Sequence, residues 1–247
     1  MTATIRIFTI EARRSVALWF VPLMVAVAGW YANARLSPVG VAVWRHSSVS
    51  VGETLFVLAP LLGGVAAWAG GRDRRRGVGD LLATMPRPLA HRTLADWGGV
   101  VAWVVLAYAI VGTFVAVVTM RDDPWGSPIA APVVIGLLTI VAASAIGYLT
   151  GALIPSRFVP PLVPIGLFLT IGLLDAGWLR GNRISYLSPA TLLDRQLLFM
   201  NSDSFFFRPP SLHLLPMVLW LSGLTGLALT GVVLTRRRSA AGWSCLS

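Results

Sequence analysis

The stretch GGVVAWVVLAYAIVGTFVAVVTM, residues 98–120, contains no charged side chain. A helix needs about 20 predominantly apolar residues to cross the hydrocarbon core of a bilayer. Residues 98–120 reach that length without interruption, and they carry no polar stripe that would face water in a soluble protein. The stretch therefore predicts a transmembrane helix, and the rest of the chain decides how many such helices there are.

Five further apolar runs flank this one, and the composition agrees with a membrane protein. Of the 247 residues, 56% are hydrophobic and 12% charged, whereas a soluble domain carries about 25% charged residues. We expect an all-α, polytopic membrane protein with a single transmembrane domain over residues 1–247. We expect Asp175, near the end of the fifth run, to be structural or interfacial rather than a proton carrier. The six predicted spans are about 15–32, 54–71, 98–120, 129–153, 162–179 and 214–235.

The distribution of the arginines predicts the orientation. The chain has 20 basic residues, all of them arginine, and they lie in the loops between the apolar runs. That placement fits membrane topology better than nucleic-acid binding. Six spans put both termini on one side, and that side has thirteen arginines against seven, so both termini are predicted to be cytoplasmic in a bacterial cell membrane. The thirteen are Arg6, Arg13, Arg14, Arg72, Arg74, Arg75, Arg76, Arg87, Arg92, Arg157, Arg236, Arg237 and Arg238; the seven are Arg35, Arg45, Arg121, Arg180, Arg183, Arg195 and Arg208.

The segments outside the spans have patterns of their own. Residues 1–14 predict a weakly amphipathic helix in the headgroup layer. The Ala-Asn-Ala at 32–34 resembles a signal-peptidase site, but the preceding apolar run is longer than in signal peptides, so we favour a retained span. Residues 33–53 predict a long outer loop. The outer segment 180–213 predicts an interfacial helix beginning after Ser188, with an ordered surface loop as the alternative.

The segment between the second and third spans, residues 72–97, is basic and has helical periodicity. Val78, Leu81, Leu82 and Met85 are spaced as one helical stripe, and Pro86 then breaks the helix. Ala90, Thr93, Leu94 and Trp97 repeat the spacing toward the third span. The result is a helical, hairpin-like cytoplasmic segment. Periodicity alone leaves open whether its apolar stripe lies in the headgroups or docks on a soluble partner.

The motif in this segment resembles the cytoplasmic signature of type-2 ABC transporter permeases. In that family a charged cluster is followed by a glycine, an acidic residue with two leucines, a Thr-x-Pro and further basic residues. The matching positions here are the charged cluster 72–76, Gly77, Asp80, Leu81, Leu82, Thr84, Pro86, Arg87 and Arg92. The residues expected to couple to a partner are Asp73, Arg76, Gly77, Val78, Asp80, Leu81, Leu82, Met85, Pro86 and Arg87. Gly79, where the family has a bulkier residue, and aspartates in place of its glutamates depart from the pattern. The resemblance covers about 25 residues in motif and the six-span layout as a whole.

The resemblance implies a coupling segment that contacts a separate ATP-binding cassette subunit, with a second permease copy or paralogue completing the transporter. Export rather than import is implied by analogy with most of the family. The residues agree with such a division of labour, because a phosphate-binding Walker A loop needs a lysine and this chain has none. ATP would therefore be bound by the partner subunit, and the chain itself is expected to hold no cofactor.

Other classes of protein fit less well. His46, His91 and His213 are far apart, which argues against a zinc site, and no hydrolase or metalloprotease motif occurs. We therefore expect no enzyme, no catalytic residue and no metal. The alternative function is a six-span scaffold or channel-like protein that is not coupled to an ATPase. Small residues four apart, at Ala143, Gly147 and Gly151 and at Ser222, Gly226 and Thr230, predict close helix packing, either within the chain or at a dimer seam.

Overall fold

The computed structural model describes residues 17–35, 43–75, 89–154, 156–175, 187–189 and 214–243. These residues are helical apart from short turns, and the only bridge in the described part is an isolated one between Val43 and Trp125. The predicted all-α class is thereby confirmed. The helices are α1 (Ala17–Arg35), α2 (Trp44–Glu53), α3 (Leu55–Gly70), α4 (Arg72–Arg75), α5 (Leu89–Met120), α6 (Ala130–Leu153), α7 (Val159–Asp175) and α8 (Leu214–Trp243).

Among the residues that the structure describes, five helical stretches are long and apolar enough to cross a membrane, so the chain has the architecture of a multi-pass membrane protein. The remaining predicted span, the fifth, corresponds to α7, whose 17 residues rise about 25 Å against a hydrocarbon thickness of about 30 Å. Residues 176–179, which the prediction included in that span, lie outside the described residues. The five stretches are Ala17–Ala34, Trp44–Gly70, Ala90–Met120, Ala130–Leu153 and Leu214–Arg236.

The second spanning stretch begins at Trp44, about ten residues before the predicted start. The sequence places residues 44–53 in an outer loop, because serines and charges interrupt their apolar pattern. In the structure they form α2, which continues into α3 through a single turn residue, Thr54. The polar groups are tolerated because Ser48 Oγ donates to Trp44 O at 2.8 Å, and side-chain bonds to the preceding turn satisfy hydroxyls inside a helix.

This early start places an acidic residue inside a spanning stretch. Glu53 is 4% exposed and lies within Trp44–Gly70, so Asp175 is not the only carboxylate in the predicted membrane region. Asp175 itself ends α7. The difference arises because hydropathy averaged over residues 44–53 resembles that of a loop, whereas burial of these residues depends on neighbouring helices.

The tightest helix contact lies between α3 and α6, where backbone meets backbone. A Cβ at Gly147 would lie 2.1 Å from Gly63 O, and one at Gly151 would lie 2.0 Å from Ala67 O. Only glycine permits this approach, which brings long stretches of both helices into van der Waals contact. The first ladder of small residues therefore packs within the chain. On the second ladder, a Cβ at Gly226 would meet nothing within 4 Å.

The helix α7 packs against the other side of α3. A Cβ at Gly64 would lie 2.6 Å from Pro164 Cγ and 3.1 Å from Pro160 O. Farther along α7, Ile171 is buried in the main hydrophobic core. The helix α3 is consequently enclosed between α6 and α7 and forms the centre of the bundle.

The helices meet at two ends that differ in charge. At one, which we call the opposite end, Trp44 N donates to Trp125 O at 3.1 Å and Ile129 N donates to Ser48 Oγ at 3.0 Å. The turn between α5 and α6 also lies there, with positive φ angles at Asp123 and Gly126. At the other, which we call the basic end, α3, α6 and α8 finish and α5 begins. The basic end contains the candidate functional site.

Candidate functional site

Charged side chains from three helices gather around a buried tyrosine of a fourth helix at the basic end. Two glycines bring α4 to this place. A Cβ at Gly70 would lie 2.2 Å from Tyr148 O, and one at Gly71 would lie 3.0 Å from Gly151 O. The chain can therefore leave α3 in contact with the α6 backbone and begin α4 beside Tyr148. We call the assembled group the arginine–aspartate cluster; its members are Arg72, Asp73, Arg92, Asp96, Tyr148 and Arg236.

The shortest ion pair in the cluster joins α4 to α5. Arg72 Nη2 lies 2.9 Å from Asp96 Oδ1, and the two side chains are 22% and 11% exposed. The second carboxylate oxygen, Oδ2, accepts a hydrogen bond from the Tyr148 hydroxyl at 3.0 Å. Asp96 is thus held by one charged and one neutral donor from different helices. Charge-assisted hydrogen bonds of this kind are stronger than neutral ones.

Arg236 connects α8 to the same group. Its Nη2 donates to the Tyr148 hydroxyl at 3.0 Å, and its Nη1 donates to Thr93 Oγ1 at 3.3 Å. The guanidinium carbon also lies 5.5 Å from the centre of the Tyr148 ring, within the range of a cation–π contact. Because Tyr148 is fully buried, its hydroxyl can satisfy both hydrogen-bonding roles only through Asp96 and Arg236.

Asp73 provides the longer-range electrostatic contacts. Its Oδ2 lies 3.7 Å from Arg92 Nη2 and 3.7 Å from Arg236 Nη1. These distances exceed those of hydrogen bonds, so the interaction is mainly Coulombic. With three arginines and two aspartates, the cluster carries a formal charge of about +1 at neutral pH. Asp73 therefore links α4 to both α5 and α8.

Two tryptophan side chains lie at the basic end, one exposed and one packed against the hydrophobic core. Arg75 lies over the Trp68 ring, 4.5 Å from its centre, and donates to the Trp68 carbonyl oxygen. Partial burial lowers the pKa of Arg75, although an arginine remains a cation near neutral pH. Trp97 Nε1 donates to Ser144 Oγ at 3.2 Å. Trp68 is 45% exposed, as expected for an aromatic residue at a membrane–water interface.

The cluster connects the chain on both sides of residues 76–88 to other helices. Arg72 and Asp73 lie four and three residues before the segment 76–88, and Arg92 and Asp96 lie four and eight residues after it. Both flanks of that segment are thus bound to α6 and α8 through Tyr148 and Arg236. Within the described ranges, no three histidine, cysteine, aspartate or glutamate side chains gather as ligands of a metal would.

Of the predicted coupling residues, one lies in the cluster and nine lie outside the described residues. Asp73 is on α4 and contacts Arg92 and Arg236. The nine are Arg76, Gly77, Val78, Asp80, Leu81, Leu82, Met85, Pro86 and Arg87. The predicted second half of the segment is helical, since α5 begins at Leu89 and runs unbroken to Met120.

Sequence reasoning missed three members of the cluster. Asp96 offered a signal, because it is an isolated acidic residue one position before Trp97 at the edge of a span. Tyr148 lies inside a predicted span and gave no signal of its own, and the structure shows that it is buried. Arg236 was counted only for topology. Residues 96, 148 and 236 are so far apart in sequence that no spacing rule connects them.

No protein-family model matches this chain, and no curated protein or solved structure is similar enough to count as a match. The fold and the cluster therefore define the class by themselves: a multi-pass helical membrane protein with an ionic cluster that ties the helices together at one end.

Proposed function

We propose that the chain is the membrane-spanning permease subunit of an ABC transporter, energised by a separate ATP-binding cassette subunit. The observation that carries the proposal is the connection of both flanks of residues 76–88 to α6 and α8 by the arginine–aspartate cluster. A segment held in this way can pass a displacement to the spans. The motif in residues 72–97 supports the same role through its resemblance to type-2 permeases.

Helix α5 offers the most direct route for such a displacement. It has 32 residues without a proline and extends about 48 Å. It runs from Leu89, inside the proposed coupling segment 72–97, to the opposite end of the bundle. A continuous helix transmits an axial or tilting movement because all its backbone hydrogen bonds are internal. Movement of residues near Leu89 would therefore reach the turn after Met120.

The proposed arrangement has six spans, with α7 as the fifth, and both termini and the basic end in the cytoplasm of a bacterial cell. The positive-inside rule supports this orientation. Two permease subunits and two ATPase subunits would form the complex, and export is the proposed direction. The chain has no lysine, so hydrolysis through a Walker A loop would have to occur on the partner.

A substitution in the coupling segment tests the proposal. The permease is purified from its native membrane with associated proteins, and these are assayed for a Walker-type subunit and vanadate-sensitive ATP hydrolysis. We expect Leu82→Asp to abolish co-purification, because an unpaired charge in an apolar contact costs several kcal/mol. Asp80→Ala is the matched control. A rim charge contributes about 1 kcal/mol or less, so we expect that variant to keep most of the partner.

Two outcomes would contradict the proposal. Full retention of the ATPase by Leu82→Asp, with normal insertion, would place the apolar stripe in the headgroups instead. ATP hydrolysis by the permease alone, free of contaminating enzyme, would remove the need for a partner. Failure to find any ATPase with the wild-type protein would favour the scaffold or channel-like alternative.

A further inference from the structure

A groove runs along α5 at the opposite end of the bundle, away from the arginine–aspartate cluster. Its volume is about 360 Å³, within the range of ligand sites. It exists because the α5 positions that face it carry small side chains at helical spacing. These are Ala109, Gly112, Thr113 and Ala116, and the other walls are Trp44, Ser47, Ser48, Val51, Tyr108, Val115, Pro128 and Val133.

The hydroxyl groups that line the groove are already bonded within the protein. Ser47 donates to the carbonyl oxygen of Val43, just before α2, and Ser48 donates to that of Trp44. Tyr108 donates to Val133 O at 2.9 Å, and Thr113 donates to Ala109 O at 2.8 Å. The groove therefore presents mainly carbon to an occupant. Water gains little in such a space, whereas an apolar molecule fills it favourably.

The groove opens toward the membrane. Its rim on α5 includes the exposed residues Ala109 and Thr113, which lie inside the spanning stretch Ala90–Met120. Val51, Tyr108 and Val115 form the buried floor. An occupant can therefore enter sideways from the hydrocarbon region without crossing water.

The groove is somewhat shorter than one leaflet. Between Tyr108 and Ala116, the first and last α5 residues that line it, the helix axis rises about 12 Å, less than half of a hydrocarbon core of about 30 Å. At the end nearest the aqueous phase stand Trp44 and Pro128, beside the loop that joins α5 to α6. An alkyl chain lying along α5 would have its polar end at this level.

We propose that this groove binds one acyl chain of a phospholipid from the leaflet at the opposite end. The chain would lie between the small residues of α5 and the first turn of α6, over the floor formed by Val51, Tyr108 and Val115. This site requires no ATPase partner. It is separate from the proposed coupling segment at the basic end.

The test uses full-length protein in nanodiscs of phosphatidylethanolamine and phosphatidylglycerol. A trace of phosphatidylethanolamine that carries a diazirine midway along one acyl chain is added. The sample is irradiated, and the labelled residues are mapped by mass spectrometry. We expect adducts on α5 residues 109–116 at about ten times the level on the exposed face of α8, because a bound chain stays near the wall far longer than a passing lipid.

Filling the groove should remove these adducts. A Cβ at Gly112 would have only Val51 Cγ1 near it, at 3.7 Å, so Gly112→Leu extends into the groove without a backbone clash. We expect the adduct level at 109–116 to fall about tenfold, since little room for a chain remains. Gly223→Leu on α8, where nothing lies within 4 Å, is the matched control and should leave the level unchanged.

A second variant, Ala116→Leu, also fills the groove and serves as the test if Gly112→Leu does not fold. Each preparation is checked for monodisperse elution. Equal labelling of residues 109–116 and of α8 would overturn the proposed binding site. So would labelling that neither Gly112→Leu nor Ala116→Leu reduces. Absence of adducts in the wild type would also overturn it, because another part of the chain or a second copy would then cover the groove.

Discussion

At the scale of single residues, the hydroxyl of Tyr148 joins charges from different helices. It donates to Asp96 on α5 and accepts from Arg236 on α8, while its backbone packs against Gly70 at the end of α3. Removing a partner from a buried polar group costs about 1–3 kcal/mol. Loss of this one oxygen atom should therefore loosen contacts on three helices at once.

A double-mutant cycle measures that connection. We expect Tyr148→Phe and Asp96→Asn to show a coupling energy of about 1 kcal/mol or more in SDS-induced unfolding, because contacting residues are not additive. Tyr108→Phe is the matched control. Its hydroxyl binds Val133 O and lies about 18 Å along α5 from Asp96, so its effect should add to that of Asp96→Asn within about 0.5 kcal/mol. Additivity of Tyr148→Phe with Asp96→Asn would contradict the network.

At the scale of elements, glycines decide which helices touch. The α3–α6 contact brings Gly147 and Gly151 against the backbone of Gly63 and Ala67. Along α8, by contrast, no atom of the described residues would lie within 4 Å of a Cβ at Gly226. Similar spacing of small residues thus has different structural consequences on the two helices.

Gly147→Ala should separate α3 from α6. Its Cβ would lie 2.1 Å from Gly63 O, and backbone atoms cannot yield as a flexible side chain can. We expect a loss of about 3 kcal/mol in the free energy of unfolding, measured in mixed micelles. Gly29→Ala on α1 is the control, since nothing lies within 4 Å of that position. It should be neutral or stabilising by up to about 1 kcal/mol. Equal effects of the two substitutions would show that α3 and α6 do not approach each other as closely as the structure describes.

At the scale of the whole molecule, the two ends of the bundle differ in charge and in construction. Arginines and aspartates bind the helices together at the basic end, whereas hydroxyl and backbone hydrogen bonds hold the opposite end. By the positive-inside rule, this difference in charge predicts that the basic end faces the cytoplasm.

Thiol labelling in intact cells tests that orientation. Cys245 is the only cysteine and should react with a membrane-impermeant maleimide only after permeabilisation. A cysteine at Asp123, in the turn at the opposite end, should react in intact cells when Cys245 is replaced by serine. Labelling of Cys245 from outside, in cells proved intact by a cytoplasmic marker, would reverse the proposed topology.

Local pattern was sufficient for much of this architecture. Charge-free stretches such as 98–120 predicted helices at the observed places, because each backbone group of a membrane helix is satisfied within its own segment. The same independence explains why the predicted boundaries for α1, α6 and α8 differ from the observed ones by only a few residues, apart from the C-terminal extension of α8 to Trp243.

The candidate site was predictable only in part. Asp73 and the helix leading into Trp97 followed from the motif and the periodicity, but the partners of Asp73 did not. Spans that are apolar all round carry no stripe to indicate which face meets which neighbour. The pairing of Asp96 with Arg72 and Tyr148 therefore could not be inferred from spacing.

By itself, the sequence determined a helical membrane protein and the approximate positions of most of its spans, since hydropathy depends only on neighbouring residues in the chain. Tertiary structure alone decided that Trp44–Glu53 is buried helix, that Tyr148 joins the arginine–aspartate cluster, and that a groove opens along α5. Each of these depends on groups distant in sequence, which satisfy polar atoms or leave space only after the helices have packed.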